Sequence, residues 1–136
     1  MRIANRGPRL QEQGPSRTEV ADTTVTPEGY YCVFCEIVAG KEPATVRYED
    51  EEIIVIDNRL RWVPVMLLVM PKKHVSQDDL WYDGLAAKLG KIAYQVGVTY
   101  CPNGFRLLSN FGRDAMQSQD HGHIHVIGGT HLGPYA

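Results

Sequence analysis

Along the chain after residue 30, short apolar segments rich in Val, Ile and Leu are separated by polar turn residues and predict β-strands. Asp50-Glu51 separates two of these segments and predicts a hairpin, and Pro102-Asn103-Gly104 predicts a turn into another. A further strand is predicted near the C-terminus, where histidines alternate with apolar residues. The other predicted strands span residues 45–50, 52–57, 65–70 and 105–110.

Two other segments have the spacing of helices. Residues 32–39 are apolar on one side and are followed by Gly40 and Pro43, which predicts a short helix of two turns. Ser76 begins the second segment as a cap, and apolar residues then recur on one helical face at Leu85, Leu89, Ile92 and Val96. Glycines weaken this long helix by about 1 kcal/mol each relative to alanine, so packing must hold it. The glycines in this segment are Gly84, Gly90 and Gly97.

Together these segments predict an α+β domain with a mainly antiparallel five-stranded sheet, one long helix and one short helix. A length of 136 residues, 43% hydrophobic and 22% charged, is that of one globular domain. The net charge of −2 gives no electrostatic footprint for nucleic acid or an acidic membrane. No apolar run approaches the roughly 20 residues that cross a bilayer, and we expect a cytoplasmic protein.

Residues 1–29 differ in composition from the rest of the chain. They contain no aromatic residue, and their four arginines are balanced by four acids. Such a segment has too little apolar surface to offset the entropy lost on ordering. The sequence therefore predicts a flexible N-terminal tail over residues 1–29 and a folded domain over residues 30–136.

Three histidines near the C-terminus alternate with small and apolar residues. In a β-strand His121, His123 and His125 would line one face, while Ile124 and Val126 would enter the core on the other. Burying three unpaired imidazoles is costly, so this face must meet water or a bound group. The rings can coordinate one metal ion together, or they can hydrogen-bond the oxygens of a phosphate while one ring attacks its phosphorus.

The residues that flank the histidines favour an anion. Gln117 and Ser118 offer amide and hydroxyl donors just before the strand, and Gly128-Gly129 lets the backbone approach a ligand or turn sharply. Such donors beside neutral imidazoles suit an anion better than a catalytic metal. His131 is predicted to be an ordinary histidine of the core or surface.

Cys32 and Cys35 are spaced by one helical turn, which suits two zinc ligands. The same pair fits a redox couple or two small buried residues, and the residues alone leave these alternatives open. Cys101 is predicted to be an ordinary buried thiol.

Four motifs resemble those of the histidine triad (HIT) family of nucleotide-binding proteins. The most specific is residues 117–129, where histidines alternate with apolar residues after Gln-Ser. The others are residues 32–43, 48–50 and 71–74, and the resemblance covers residues 30–136 in the family's order. It implies a HIT-like fold of the zinc-binding, nucleoside phosphoramidase-like branch.

The resemblance also implies a reaction. His123 would attack the α-phosphate of a purine nucleotide and form a nucleotidyl-imidazole intermediate that water cleaves. His125 would stabilise the charge on the phosphate, and Ser118 and Gln117 would hold the phosphate or the leaving group. The implied substrates are nucleoside 5′-phosphoramidates or dinucleoside polyphosphates.

A nucleotide site follows from the same resemblance. Asp57 would bind the two ribose hydroxyls, and Asn110 would make a polar contact near the phosphate. Phe34, Ile37 and Val55 would form the apolar pocket for the base. From the residues alone, these three apolar side chains are predicted to be ordinary core.

The resemblance implies a structural zinc and a partner copy. Cys32, Cys35, His74 and His121 would form a closed Cys₂His₂ set with no open position for catalysis. The chain would be a homodimer in which the long helix and the 105–110 strand meet their copies across a two-fold axis.

Two departures from the family pattern keep a second function open. Met66 stands where many members have a histidine, and Met116 stands where glycine is common before Gln-Ser. The alternative is a zinc-stabilised nucleotide sensor without turnover. A third hypothesis places a catalytic metal on the triad, but the sequence lacks a convincing carboxylate ligand beyond Asp120.

The turn before the third strand also differs from the common pattern. Arg59, Arg61 and Trp62 lie near the implied ribose site and could contact phosphate or stack on a base. A solvated turn is the alternative.

Overall fold

A computed structural model describes residues 31–134, so the tail predicted over residues 1–29 lies outside the described residues. The described part contains five strands and three α-helices. In chain order they are α1 (Val33–Val38), β1 (Val46–Glu49), β2 (Ile53–Asp57), β3 (Val65–Pro71), α2 (Gln77–Tyr82), α3 (Leu85–Tyr100), β4 (Phe105–Leu108) and β5 (Ile124–Gly128).

The strands form one antiparallel sheet in the order β1-β2-β3-β5-β4. The central strand β3 pairs with β2 on one side and β5 on the other, and this register sets Leu68 opposite His125 and Val69 opposite Ile124. The predicted five-stranded α+β architecture is therefore confirmed.

The long helix expected after Ser76 is divided in two. Its start is as predicted, because Ser76 Oγ accepts a hydrogen bond from the Asp79 N–H at 3.0 Å. The helix stops at Asp83, and Gly84 then adopts a left-handed φ of 86° before α3 begins at Leu85. Glycine has no Cβ and adopts positive φ without strain, so it permits this break.

The helix α3 is the longest described, with 16 residues. At 1.5 Å per residue this is about 24 Å, less than the roughly 30 Å of a bilayer core. Among residues 31–134, no helix is long and apolar enough to span a membrane.

Each face of the sheet packs against its own helices. On one face, side chains such as Val55, Val69 and Val126 pack against α2 and α3. On the other face, Ile56 and Leu68 pack against α1. Neighbouring strand residues point to opposite faces of the sheet. The face to which a residue points therefore determines whether it lies on the α1 side or on the α2 and α3 side.

Candidate active site and metal centre

A cavity of about 1110 Å³ opens on the α1 face of the sheet. Phe34 and Ile37 of α1 form its apolar floor together with Ile56 and Leu68 of the strands. His123 and His125 line the same cavity. The polar residues that line it include Asp57, Asn58, Arg59, Arg61, Asn110, Gln117, Ser118 and Gln119.

The tautomer of His123 follows from one hydrogen bond. Its Nδ1 lies 2.8 Å from the carbonyl oxygen of His121. A carbonyl can only accept, so Nδ1 carries the proton and the lone pair is on Nε2. Burial lowers the pKa of His123, so the ring is neutral at neutral pH. The arrangement provides an uncharged imidazole nitrogen beside the cavity.

His125 lies next to His123, with ring centroids 4.9 Å apart in an edge-on arrangement. Burial, and secondly the nearby His123, lower the pKa of His125 to about 4. At neutral pH the ring is uncharged, and one nitrogen carries an N–H that can donate to a phosphate oxygen.

Two residues that the sequence reasoning missed hold His123 in place. The Gln77 side chain, 1% exposed, accepts from the His123 N–H at 2.9 Å and donates to the Asn110 carbonyl at 3.1 Å. Ser109 Oγ donates to the His123 carbonyl at 2.8 Å. One signal for Gln77 was present, because it lies three residues before buried Leu80 and shares its helical face.

The loop before β5 places Ser118 at the cavity. The Gln117 side chain instead makes hydrogen bonds to the backbone of this same loop. Gln117 Oε1 accepts from the Gly112 N–H at 2.7 Å, and Nε2 donates to the Gln119 carbonyl at 3.1 Å. Met116 lines the cavity, is 83% exposed and has a left-handed φ of 59°. Its conformation fits the glycine that the family pattern favours at this position.

The assignment of Val55 to the base pocket is corrected by the structure. Val55 points to the α3 face, where it packs with Val69 and Leu89, and is fully buried there. Ile56 takes the predicted position on the cavity side. A displacement of one residue along a strand reverses the face, so a small alignment error accounts for the difference. Phe34 and Ile37 do line the cavity.

The carboxylate of Asp57 lines the cavity but is engaged by two arginines. Arg47 donates to its two oxygens at 2.9 and 3.0 Å, and Arg61 donates to Oδ2 at 3.2 Å. A carboxylate offers about four acceptor sites, and three are used here. Both ribose hydroxyls can bind to Asp57 only after Arg61 moves aside.

Four metal-ligating side chains meet beside the cavity. The donor atoms of Cys32, Cys35, His74 and His121 all lie within 4.8 Å of one another. Three sulfur–nitrogen distances are 3.4, 3.5 and 3.6 Å. A tetrahedral zinc ion with ordinary bond lengths places sulfur and nitrogen ligands roughly 3.5 Å apart. These three distances match those of a tetrahedral zinc site, and the cluster could hold such a metal.

The surroundings of the cluster prepare His121 for coordination. Its Nε2 lies 2.7 Å from the Pro71 carbonyl and therefore carries the proton, which turns the Nδ1 lone pair toward the cysteines. Burial, the first cause, lowers the pKa of His121 to about 4 and keeps the ring neutral. Burial, followed by the Cys32 hydrogen bond, raises the pKa of Cys35 to about 12. A raised pKa keeps Cys35 as a thiol until a metal or a base removes its proton.

Gly122 separates the two sites. A Cβ on this residue would lie 2.8 Å from Leu80, and its N–H donates to the Val75 carbonyl at 2.7 Å. The backbone therefore lies close against the start of α2, with His121 in the metal cluster and His123 at the cavity. Within residues 31–134 the group of possible metal ligands is the Cys₂His₂ set, which leaves the third hypothesis without support.

Comparison with known proteins identifies solved structures that this chain resembles. The structure is similar to a zinc-bound histidine triad family protein from Mycobacterium smegmatis, with a TM-score of 0.61 and 31% identity over 71% of this chain and 73% of that one. It is also similar to a HIT family hydrolase from Clostridium thermocellum, with a TM-score of 0.69 and 33% identity over 76% of this chain and 95% of that one.

The sequence comparisons agree with the structural ones. The chain is 37% identical over 108 residues to an uncharacterized HIT-like protein of Chlamydia trachomatis serovar D, covering 76% of this chain and 97% of that protein. The model of the HIT domain family matches residues 39–132. With the matching fold and motifs, these similarities show that the chain belongs to the HIT domain family.

Proposed function

We propose that this protein is a nucleotidyl hydrolase that acts on a purine nucleotide linked through its α-phosphate to an amine or a phosphate chain. The observation that carries the proposal is the His123 hydrogen bond to the His121 carbonyl, which puts the proton on Nδ1 and the lone pair on Nε2. The neutral ring is outside the metal-ligand cluster and beside a cavity large enough for a nucleotide.

In the proposed first step, the Nε2 lone pair of His123 forms a bond to the α-phosphorus. The bond from phosphorus to the leaving group breaks, and its electron pair departs with the leaving group. An amine leaving group takes up one proton from water. A water molecule then attacks the phosphorus and loses one proton to solvent, the P–N bond breaks with its electrons returning to Nε2, and the nucleoside monophosphate leaves with the new oxygen.

The neighbouring side chains support this step. His125 donates its N–H to a non-bridging phosphate oxygen, and the Ser118 hydroxyl holds the phosphate or the leaving group. Phe34, Ile37 and Ile56 enclose the base. Asn110 approaches the phosphate, while Gln117 acts by closing the loop that carries Ser118.

Release of nucleotide from a nucleoside 5′-phosphoramidate tests the proposal. His123→Ala should reduce the rate by at least about a thousandfold, because the covalent route is removed. The exposed His131 lies outside the cavity, and His131→Ala should keep the wild-type rate. Mass spectrometry after an alkaline quench should detect one nucleotidyl group on His123. Equal release by wild type and His123→Ala would end the proposal.

We also propose that Cys32, Cys35, His74 and His121 hold a structural zinc ion. The donor set is closed and of the type that zinc prefers, and the His121 ring is oriented by a backbone carbonyl. Zinc would supply a cross-link between the start of α1, the segment after β3 and the residue before Gly122. It would support the active site without contacting the substrate.

A nucleotide-binding module without turnover is the second candidate. The observation that favours it is Met116, whose exposed side chain lies at the cavity beside Ser118. Tight binding of a nucleoside monophosphate together with no release from any phosphoramidate or polyphosphate substrate would support it. Turnover that increases in Met116→Gly would instead identify the side chain as a partial obstruction.

A homodimer and a cytoplasmic location complete the proposal. Strand β4 is an edge of the sheet, and edge strands present unpaired backbone groups to a partner. Leu107 of this strand is 39% exposed, and Tyr94 of α3 is 59% exposed. The free cysteines Cys32, Cys35 and Cys101 suit a reducing compartment.

A further inference from the structure

Gln77 is a buried amide that belongs neither to the metal-ligand cluster nor to the lining of the cavity. It is the first residue of α2, and its side chain is almost fully buried. Burying an amide is unfavourable unless its donor and its acceptor both find partners. Here the partners are two residues of the candidate site, His123 and Asn110. An apolar side chain could fill the same space, so packing alone does not account for the amide.

The backbone of His123 depends on side chains because the strand pairing ends next to it. The pairing of β5 with β3 reaches Ile124, and its pairing with β4 reaches His125. The His123 N–H donates to Gln77 Oε1 at 2.9 Å, and the His123 carbonyl accepts from Ser109 Oγ at 2.8 Å. Two side chains therefore satisfy the backbone groups that a strand ladder would otherwise satisfy.

These contacts form a closed ring with the residues that follow β4. Gln77 Nε2 donates to the Asn110 carbonyl at 3.1 Å, and Asn110 is the chain neighbour of Ser109. The carbonyl of His123 is thus tied to Ser109 directly, and its N–H is tied to Asn110 through the Gln77 amide. Asn110 lines the cavity. The ring therefore links the proposed nucleophile to a residue that we assign to the phosphate.

The segment before α2 also lies against the chain just before His123. The Gly122 N–H donates to the Val75 carbonyl at 2.7 Å, and a Cβ added at Gly122 would lie 3.2 Å from the Ser76 carbonyl oxygen. Gln77 continues this run of contacts by one residue on each side. A shift of its side chain would therefore act on His123, whereas Gly122 would keep its own backbone contact.

We propose that Gln77 is a positioning residue for the hydrolytic step, and that it sets the distance between the His123 ring and the phosphate contact of Asn110. The inference rests on the proposed function, because it assigns a role in that same reaction. The amide offers one acceptor and one donor at once, which a hydrocarbon or thioether side chain cannot do. A displacement of about 1 Å at a reacting group can cost about a hundredfold in rate.

Gln77→Met tests the proposal, because methionine is similar in length to glutamine and makes neither hydrogen bond. With a nucleoside 5′-phosphoramidate as substrate, kcat should fall by about a hundredfold. KM should change by less than about threefold, because the apolar base pocket is carried by α1 and β2. A kcat within about threefold of wild type would overturn the proposal, and so would an equal loss carried entirely by KM.

Ser76→Ala is the matched control for the stability of α2. It removes the hydrogen bond from the Asp79 N–H to Ser76 Oγ that caps this helix, and it leaves the Gln77 side chain in place. The melting temperature should fall, while kcat should stay within about twofold of wild type. A loss of kcat equal to that of Gln77→Met would assign the effect to the helix and overturn the role of the amide.

A double-mutant cycle with Ser109→Ala tests the ring of contacts. Ser109→Ala alone should lower kcat by about tenfold, because the His123 carbonyl loses its partner. If both side chains act by holding His123, the double variant should lose little more than Gln77→Met does. Losses that multiply to about a thousandfold would show independent effects and contradict the ring.

The protonation of the His123 ring separates this proposal from the hydrolase proposal. Proton–nitrogen correlation NMR at neutral pH should show the wild-type ring with its proton on Nδ1, as the hydrogen bond to the His121 carbonyl requires. Wild type without nucleotide release from any substrate would end the hydrolase proposal. In that case a mixed tautomer in Gln77→Met would support the positioning of the ring by Gln77, and an unchanged tautomer would overturn it.

Discussion

At the scale of single residues, Met116 has a backbone conformation that costs stability. Among residues 31–134 it is the one non-glycine residue with positive φ, at 59°. A side chain in this region costs roughly 1–2 kcal/mol, and glycine avoids that cost but adds about 0.4–1 kcal/mol of unfolded-state entropy. We expect Met116→Gly to raise the free energy of unfolding by about 0.5–1 kcal/mol.

Urea denaturation at neutral pH measures the effect, and Met116→Ala separates its causes. Alanine removes the methionine side chain but keeps a Cβ, so the strain should remain and stability should not increase. A gain with alanine equal to that with glycine would show that the long side chain, rather than the backbone, is unfavourable at this position.

His125 should contribute a pH dependence to stability. Burial, and next the nearby His123, lower its folded-state pKa from 6.5 to about 4. Below pH 6.5 the unfolded chain binds a proton that the folded chain excludes, so folding becomes less favourable. The contribution is complete above pH 6.5 and is lost as the pH falls toward 4.

The measurement compares unfolding free energies at pH 7.5 and pH 5.0 in wild type and His125→Asn. Wild type should lose more stability on acidification than the variant does. His131→Asn, which changes an exposed histidine outside the cavity, is the control and should behave as wild type. An identical loss in wild type and His125→Asn would contradict the assigned burial.

At the scale of elements, two glycines of the helical segment should respond in opposite directions to alanine. Both have open space where a Cβ would be added. Gly84 has a φ of 86° at the break, so Gly84→Ala should lower stability by about 1 kcal/mol. Gly90 is inside α3, so Gly90→Ala should raise stability by about 1 kcal/mol. Thermal unfolding of the two variants checks the signs, and a gain from Gly84→Ala would show that the break is not required.

The same pair of glycines explains how far the sequence could predict the elements. Apolar periodicity ran through Leu85, Leu89 and Val96 and located α3, but a pattern of apolar positions does not distinguish a glycine within a helix from one that ends it. The five strands were predicted because their segments are apolar and separated by turn residues. The face of the sheet to which Val55 points was not predicted correctly, because a one-residue error in register reverses the face.

Some residues of the candidate site could likewise be predicted from the sequence, and others could not. The histidines and cysteines were predictable because few chemistries use those residue types at that spacing. Gln77 and Arg47 were not, because their roles depend on partners distant in the chain. Gln77 joins His123 to Asn110, and Arg47 occupies the carboxylate of Asp57. Amides and ion pairs carry no sequence signature for such contacts.

At the scale of the whole molecule, the Cys₂His₂ cluster joins three separate parts of the chain. Cys32 and Cys35 come from the start of α1, His74 follows β3, and His121 precedes β5. We expect stoichiometric zinc in protein purified without chelator, and loss of it in Cys35→Ala with a stability decrease of at least about 3 kcal/mol. Elemental analysis and thermal unfolding measure both. Cys101→Ala, at a buried cysteine outside the cluster, should retain the metal; wild type without zinc would remove the proposal.

The edge strand β4 should place two copies of the molecule side by side. Its free edge and the exposed Leu107 lie beside α3, where Tyr94 and Val98 are also exposed. Pairing of β4 with its copy would satisfy the backbone groups of the edge and continue the sheet across a two-fold axis. Light scattering after size exclusion should give twice the 15.3 kDa of one chain. Leu107→Lys should shift the mass toward the monomer because the charge would be buried, whereas Tyr82→Lys, at a 90% exposed residue of α2, should not. A monomeric wild type at micromolar concentration would contradict the dimer and leave the edge of β4 exposed to water.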